Sequence, residues 1–275
     1  MHGREGKKAL EEIQGSFGQS YQLLNNYSNE LRKVDRFSFT ELQRVGNTDC
    51  FKCYFWSYGI TVRSFRDTCR PHIEIDGTHL RGRSRGCLIS AIAVDGDNHV
   101  FPVAFGLVSG EDNENYDWFL RCLGDQVVGY ETLLVIISYH PSLVVKVPEV
   151  FPREKHVFCM NHICKNMSGL TPSLVLMRKI KTVAKTTQEW FFRAVIRDIK
   201  KMNSSVYNKL KEISLDKWAC HASIVKRYGI AYTNNVECWN NMIKDDKALP
   251  VVCLVEAIRE NLSAYYFKYK KMVDD

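Results

Sequence analysis

The residues best suited to chemistry lie at 72–80, where a short β-branched run delivers one acidic residue and stops at a glycine. This pattern predicts a strand over residues 73–76 that places the carboxylate of Asp76 at a strand end. Carboxylate oxygens are the ligands that Mg²⁺ prefers, and metal-assisted phosphodiester chemistry depends on them. Asp76 is therefore a candidate metal ligand, although an Asp before a Gly is also typical of a plain turn.

A second acid, Glu237, lies 161 residues further along the chain, in the run TNNVE at residues 233–237. It fits a metal ligand on the first turn of a helix. Asn234 followed three residues later by Glu237 is also the pattern of a capping box, in which the acid serves only to start the helix. Both interpretations place Glu237 at a helix N-terminus.

The elements that must position these acids follow from apolar periodicity and turn signals. Three strands with short connections predict an antiparallel meander, and two later strands alternate with helices. The predicted strands are 73–76, 87–94, 100–108, 132–138 and 155–159, with a helix at 113–127 and a helix or a turn at 141–147 between them. The order β-β-β-α-β-α-β followed by helices predicts an α/β fold with a ribonuclease H-like mixed sheet, three antiparallel strands and then parallel ones.

Two regions are expected from the change in pattern along the chain. The sequence pattern of residues 1–70 predicts a mostly helical N-terminal segment, with an amphipathic helix near 16–34. Residues 71–275 predict the ribonuclease H-like domain, with a helical insertion at about 163–232. We find no secretion signal and no apolar run near the ~18 residues that a membrane helix needs, so no membrane partner is expected. The formal net charge of +7 is compatible with a nucleic-acid partner.

Three weaker candidate sites remain open. Cys159 and His162 have the spacing of zinc ligands, although a half-buried Cys and His at a strand end is the favoured interpretation. His79 could orient a phosphate or a carboxylate, or it is a plain surface residue. Basic residues in the helical insertion predict contacts with a DNA backbone, or else a solvated helix face. These basic residues are Arg178, Lys179, Lys181, Lys200 and Lys201.

Ordered blocks along most of the chain resemble the Mutator-like (MULE) transposases of plants. The blocks are DGTHLRG at 76–82, GCL at 86–88, DGDN at 95–98, FPVAFG at 101–106, ENYDWFL at 114–120, VFP at 150–152, CMNH at 159–162, and TNNVE at 233–237 with Asn240 and Asn241. The resemblance implies a ribonuclease H-like catalytic domain with an Asp-Asp-Glu triad and a helical insertion before the Glu. Such proteins cut DNA at terminal inverted repeats and join it elsewhere, using Mg²⁺ or Mn²⁺.

The resemblance assigns two of the three acids. Asp76 matches the first and Glu237 the last, and both would bind the metal. The middle acid does not transfer, because the family has an Asp after Ile-Ser and this chain has Tyr139. A phenol with a pKa near 10 is neutral at pH 7 and a poor Mg²⁺ ligand. We therefore expect a MULE-type core that has lost catalysis.

The alternative function is a non-catalytic, transposon-derived protein that binds DNA or regulates transcription. For either function, the resemblance implies DNA as partner and the nucleus as the place of action, and it leaves a homo-oligomer open. The zinc-dependent domains that longer family members carry on either side of the core are not recognised in this sequence, so we expect an isolated core, a truncated copy or a partial gene model.

Overall fold

A computed structural model describes residues 17–48, 50–81, 85–127, 133–170 and 173–274. Its centre is a seven-stranded mixed sheet with the order β1-β2-β5-β4-β3-β6-β7. The strands are β1 (Phe39–Arg44), β2 (Phe51–Ser57), β3 (His72–His79), β4 (Cys87–Val94), β5 (Val100–Val108), β6 (Leu134–Ile137) and β7 (Lys155–Phe158). The α/β class is thus confirmed.

The strand pairing agrees with the predicted meander. β3 pairs antiparallel with β4, and β4 pairs antiparallel with β5. β6 lies parallel to β3 on the other side, and β7 lies parallel to β6. β4 is buried along its whole length, as its continuous apolar run predicts for a strand that is covered on both faces. The central strand β3 therefore ends between an antiparallel and a parallel neighbour.

The segment before the core combines helices with strands. It contains helices α1 (Phe17–Val34) and α2 (Gly59–Thr68), but β1 and β2 also belong to it. β2 pairs with β5 and so extends the central sheet. The physical reason is its aromatic, alternating pattern, because Cys53 and Phe55 pack into the core on one face and Tyr54 and Trp56 on the other.

Helices cover both faces of the sheet. The remaining helices are α3 (Asn113–Val127), α4 (Pro141–Val150), α5 (Met160–Asn166), α6 (Leu174–Lys185), α7 (Glu189–Met202), α8 (Ser204–Glu212), α9 (Asn234–Met242) and α10 (Val251–Asp274). Buried residues of α3 to α8 share one core cluster, whereas those of α1, α9 and α10 share the cluster on the opposite face. Within the described ranges, no helix has the length and apolar character needed to span a membrane.

The helix that matters most for the site is α9. It packs against β3, β4 and β5. Trp239 is fully buried, and its ring centroid lies 5.6 Å from that of Phe105 on β5. This apolar anchor holds α9, whose first turn carries Glu237, against the sheet beside β3.

Candidate active site

Asp76 lies inside β3, which continues past the predicted end at residue 76 to His79, and it is almost completely buried, with 9% of its surface exposed. The parallel register pairs Ile75 with Ile137 at the end of β6. The next residue, Ser138, donates its amide to the carbonyl oxygen of Ile75 at 3.2 Å. The chain that follows β6 is therefore held directly beside Asp76.

The helix that carries Glu237 is capped by a residue of another element, and not by the capping box that the sequence suggests. Helix α9 begins at Asn234, as predicted within a residue, but its N-cap residue Thr233 makes no side-chain cap. The carboxylate of Glu74 on β3 caps the helix instead. Its oxygens accept hydrogen bonds from the Asn235 amide at 3.0 Å, the Asn235 side chain at 2.6 Å and the Val236 amide at 3.3 Å. One strand therefore carries Asp76 and also ties down the helix that carries Glu237.

Asp76 and Glu237 line one cleft of about 680 Å³. Tyr139, the residue at the expected place of the middle acid, lines it as well. The sequence-predicted catalytic positions are thus brought together across 161 residues of chain. The full lining consists of Asp76, Gly77, Thr78, Arg81, Glu111, Ser138, Tyr139, His140, Pro141, His162, Lys165, Asn166, Glu237, Asn240, Asn241, Lys244 and Lys247.

The electrostatics of the cleft favour a cation. Burial raises the pKa of Asp76 from 3.8 to about 7, and the nearby charges of Glu111 and Glu237 act in the same direction. The Ser138 hydroxyl and the Gly77 amide act in the opposite direction. The described ion-pair partner of Asp76 is His162, whose Nε2 lies 3.7 Å away, and burial lowers the pKa of that imidazole. Three acidic side chains, Asp76, Glu111 and Glu237, thus face one cleft.

This donor set suits a hard divalent cation. Mg²⁺ and Mn²⁺ take oxygen ligands, and the cleft offers the carboxylates of Asp76 and Glu237 together with the amide oxygens of Asn240 and Asn241. Burying the carboxylate of Asp76 beside two half-buried acids is unfavourable unless a positive charge compensates it. The residues present therefore fit the metal that the sequence predicts.

Glu111 is a cleft acid that sequence reasoning missed. It lies in the loop between β5 and α3, and its Oε1 accepts a hydrogen bond from the Tyr116 hydroxyl at 2.6 Å. A Cβ added at Gly77 would collide with the Glu111 Oε1, so the glycine leaves room for the carboxylate. Nothing in the local sequence marks this acid, because only the neighbouring strand ends bring it to β3.

Glu111 does not occupy the place of the middle acid. It approaches Asp76 from the β4 and β5 side, whereas the middle acid would follow β6 on the other side of β3. That position holds Tyr139, whose ring centroid is 4.9 Å from that of Phe158. Its carbonyl oxygen accepts a hydrogen bond from Asn166 Nδ2 at 3.1 Å, so α5 holds this turn in place.

Basic side chains surround the acids in the cleft. They are Arg81, Lys165, Lys244 and Lys247. Lys247 donates to the Thr78 hydroxyl at 2.9 Å, and burial lowers the pKa of its ammonium group. Sequence reasoning missed all four because they come from three separate segments of the chain.

The five basic residues predicted to bind DNA lie on other elements, α6 and α7, and none of them lines this cleft. Lys179 forms an ion pair with Asp198 at 3.1 Å. Lys200 lies 5.3 Å from the ring centroid of Tyr207. Their contact with DNA stays a prediction.

The two residues with zinc-ligand spacing have different partners. Cys159 is fully buried, and its sulfur accepts a hydrogen bond from the Thr233 amide at 3.3 Å. His162 faces Asp76 in the cleft. Burial also raises the pKa of the Cys159 thiol, which favours its neutral form. Zinc binding by this pair stays a prediction.

Comparison with known proteins gives one positive finding. Residues 72–166 match the family model of the MULE transposase domain. The match covers Asp76, Glu111, Tyr139 and His162, whereas Glu237 lies outside it and is placed in the site by the geometry of α9. A search of curated proteins found no match. The matched segment is thus a MULE transposase region, with a transposase-related function.

Proposed function

We propose that this chain, of which residues 72–166 form a MULE transposase domain, binds transposon DNA at the cleft between β3 and α9 and no longer cleaves it. Asp76 and Glu237 would hold Mg²⁺ or Mn²⁺ there. The observation that carries the proposal is the convergence of these two acids in one cleft with a basic rim. Tyr139 in place of the middle acid is the reason for the lost cleavage.

We infer that the fold behind this site is ribonuclease H-like. The support is the order β5-β4-β3-β6-β7, in which the first three strands in the chain are antiparallel and the last two are parallel. In this fold, an acid on the first core strand, an acid after the fourth core strand and an acid on a late helix would lie close together beside the central strands of the sheet. Asp76, Tyr139 and Glu237 occupy these three positions.

Each part of the cleft has a separate role in this proposal. The basic side chains would hold the phosphates, since Lys and Arg contact DNA backbones without reading sequence. Asp76 and Glu237 would hold the cation. When bound, that ion would polarise a phosphoryl oxygen and lower the pKa of a bound water. The Tyr139 side chain adds no third carboxylate to this pair.

The alternative is a transposon-derived protein for which DNA binding, and not chemistry, is the function. The basic rim supports it as well as it supports a transposase. Both functions place the protein where DNA is, which in a eukaryotic cell is chiefly the nucleus. If a variant with the middle acid restored cleaves DNA, the chain is a transposase core that has lost its activity. If that variant does not cleave DNA, the non-catalytic alternative is favoured.

The test is a nicking assay on supercoiled plasmid DNA with Mg²⁺ or Mn²⁺. The natural chain should leave the plasmid intact. Tyr139→Asp should nick at least tenfold faster than the natural chain, because it restores a carboxylate after β6 beside Asp76. The matched control is Tyr139→Asp combined with Glu237→Gln, which should abolish the gained activity.

Nicking by the natural chain at the rate of Tyr139→Asp would overturn the proposed loss of cleavage. If Glu111→Gln then removed that activity, Glu111 would be the acid that compensates for Tyr139. If none of the variants nicks and all bind the plasmid, the non-catalytic alternative is correct.

A further inference from the structure

Three side chains beside the cleft form a group that the proposed function does not use. They are His79, Cys87 and Glu111, and their ligand atoms all lie within 4.8 Å of one another. Among the described residues, these are the three His, Cys or acidic side chains whose ligand atoms come close enough together to share one ion. The group combines an imidazole nitrogen, a sulfur and a carboxylate oxygen.

The fold itself assembles these three atoms. His79 at the end of β3 and Cys87 at the start of β4 are register partners, so their side chains stand on the same face of the sheet. Cys87 is also the register partner of Val108 at the end of β5, and Glu111 follows just after that strand. Three strand ends thus deliver one ligand each.

The carboxylate of Glu111 is already oriented. The Tyr116 hydroxyl donates to Oε1 at 2.6 Å, which leaves Oε2 facing His79 Nε2 at 3.7 Å. Hydrogen bonds of this kind to a ligand's second oxygen are the usual support of a metal site. Gly77 completes the arrangement, because its missing side chain leaves space for both Glu111 and the sulfur of Cys87.

We propose that His79, Cys87 and Glu111 bind a thiophilic divalent cation of the Zn²⁺ class. Tetrahedral Zn²⁺ takes nitrogen and oxygen ligands at about 2.0–2.2 Å and sulfur at about 2.3 Å, so its ligands lie roughly 3.5 Å apart. The His79 side chain is 76% exposed and is free to rotate into this geometry. Three protein ligands leave a fourth position for water or for a group that enters from the cleft.

This site differs in chemistry from the one proposed at Asp76 and Glu237. Sulfur ligands select Zn²⁺ and related ions, whereas an all-oxygen site suits Mg²⁺ and Mn²⁺. The Cys87 thiol gives up its proton when the sulfur binds the ion. Glu111 lines the cleft as well, so an ion held here would border the DNA site.

The experiment titrates the metal-free protein with Co²⁺ and with Zn²⁺, without DNA. One equivalent of Co²⁺ should produce the absorption band of a cobalt–thiolate bond, and Zn²⁺ should displace it while excess Mg²⁺ should not. Cys87→Ala should remove the band. His79→Ala, at an exposed position, and Glu111→Gln should each weaken Zn²⁺ binding at least tenfold. Tyr116→Phe should weaken it about tenfold through the lost support of Glu111.

Two cysteine variants serve as controls. Cys122 is also buried beside a carboxylate, with its sulfur 3.5 Å from Glu41 Oε2, and Cys122→Ala should leave the band unchanged. Cys159→Ala should do the same. A band that survives in both Cys87→Ala and His79→Ala, a band that is lost only in Cys159→Ala, or no band at all would overturn the proposal. These measurements need neither DNA nor nicking, so they stand apart from the outcome at Asp76 and Glu237.

Discussion

At the scale of single residues, Asp76 lies in the candidate site in an environment that disfavours its ionised form. Its carboxylate is buried, and Glu111 and Glu237 add negative charge. A carboxyl whose pKa is higher in the folded chain than in the unfolded chain binds its proton more tightly when folded. The free energy of unfolding therefore decreases as the pH rises from about 4 to about 7. Such a destabilising group suggests a functional site that a cation completes.

The variant Asp76→Asn tests this directly. In EDTA, the natural chain should lose stability relative to the variant between pH 4 and pH 7, because only the natural chain must ionise the buried carboxyl of Asp76. The difference should reach at most about 4 kcal/mol at pH 8, from roughly 1.4 kcal/mol for each pKa unit. Urea unfolding at pH 5 and pH 8 measures it.

A control variant should show the opposite sign. The Arg121 guanidinium beside Asp117 lowers the pKa of that carboxyl, so its ionised form stabilises the folded chain and Asp117→Asn should lose stability at pH 8. Adding Mn²⁺ at pH 8 should stabilise the natural chain and not Asp76→Asn. Equal stabilisation of both proteins by Mn²⁺ would show that Asp76 does not hold the ion.

At the scale of elements, the site depends on the link between β3 and α9. Glu74 lies two residues before Asp76 and is completely buried, and it accepts three hydrogen bonds at the N-terminus of α9. Burial raises the pKa of Glu74 to about 8, and the hydrogen bonds from Asn235 and Val236 act against that rise. The link positions Glu237 without touching the metal site.

Glu74→Met should destabilise the protein by about 1–3 kcal/mol, since it keeps the side-chain volume but leaves buried donors unpaired. Amide hydrogen exchange at Asn235 and Val236 should accelerate. Glu74→Gln should recover most of the loss, because its amide oxygen still accepts from the two backbone amides. A matched variant is Glu114→Gln, whose exposed side chain pairs only with Lys52 in the described ion pairs and should have little effect. Unchanged exchange in Glu74→Met would contradict the capping role.

At the scale of the whole molecule, the central sheet joins the two regions predicted from the sequence, residues 1–70 and residues 71–275. β2 of the N-terminal segment pairs with β5 of the core, and α1 packs against α10. Residues of both regions share the two core clusters. The segment before residue 71 is therefore built into the same sheet as the site.

The distribution of basic residues leaves two candidate DNA surfaces, the rim of the cleft and the helical insertion. If DNA enters the cleft, Lys165→Gln and Lys244→Gln should each weaken binding and reduce the slope of log affinity against log salt by about 1. Lys179→Gln and Lys200→Gln should then have little effect on either the affinity or this slope. Both cleft lysines are exposed, so the variants should fold.

Fluorescence anisotropy with a labelled DNA duplex at several salt concentrations measures these slopes. Lys33→Gln, on α1 and paired with Glu30, provides a matched loss of one exposed charge. Slopes that change only in the insertion variants would place DNA on α6 and α7 and would remove the cleft from the proposed DNA path.

The sequence alone determined the elements whose signals are local. Strands 87–94 and 100–108 and helix 113–127 match the structure to the residue, because continuous apolar runs, a turn at 95–98 and helical spacing define them without help from distant residues. It also identified Asp76 and Glu237 as candidates. Glu237 lies in the first turn of α9, as predicted, but β3 continues through Gly77 to His79, so Asp76 lies inside the strand and not at its end.

Only the tertiary structure decided which other groups join these acids. Glu111 reaches Gly77 because β3, β4 and β5 end side by side, and Glu74 caps α9 across a gap of 161 residues. The predicted capping box failed for the same reason, since a buried acid from another element displaced the local cap. Side-chain burial and charge in the cleft arise from contacts between distant segments, and no local spacing encodes them.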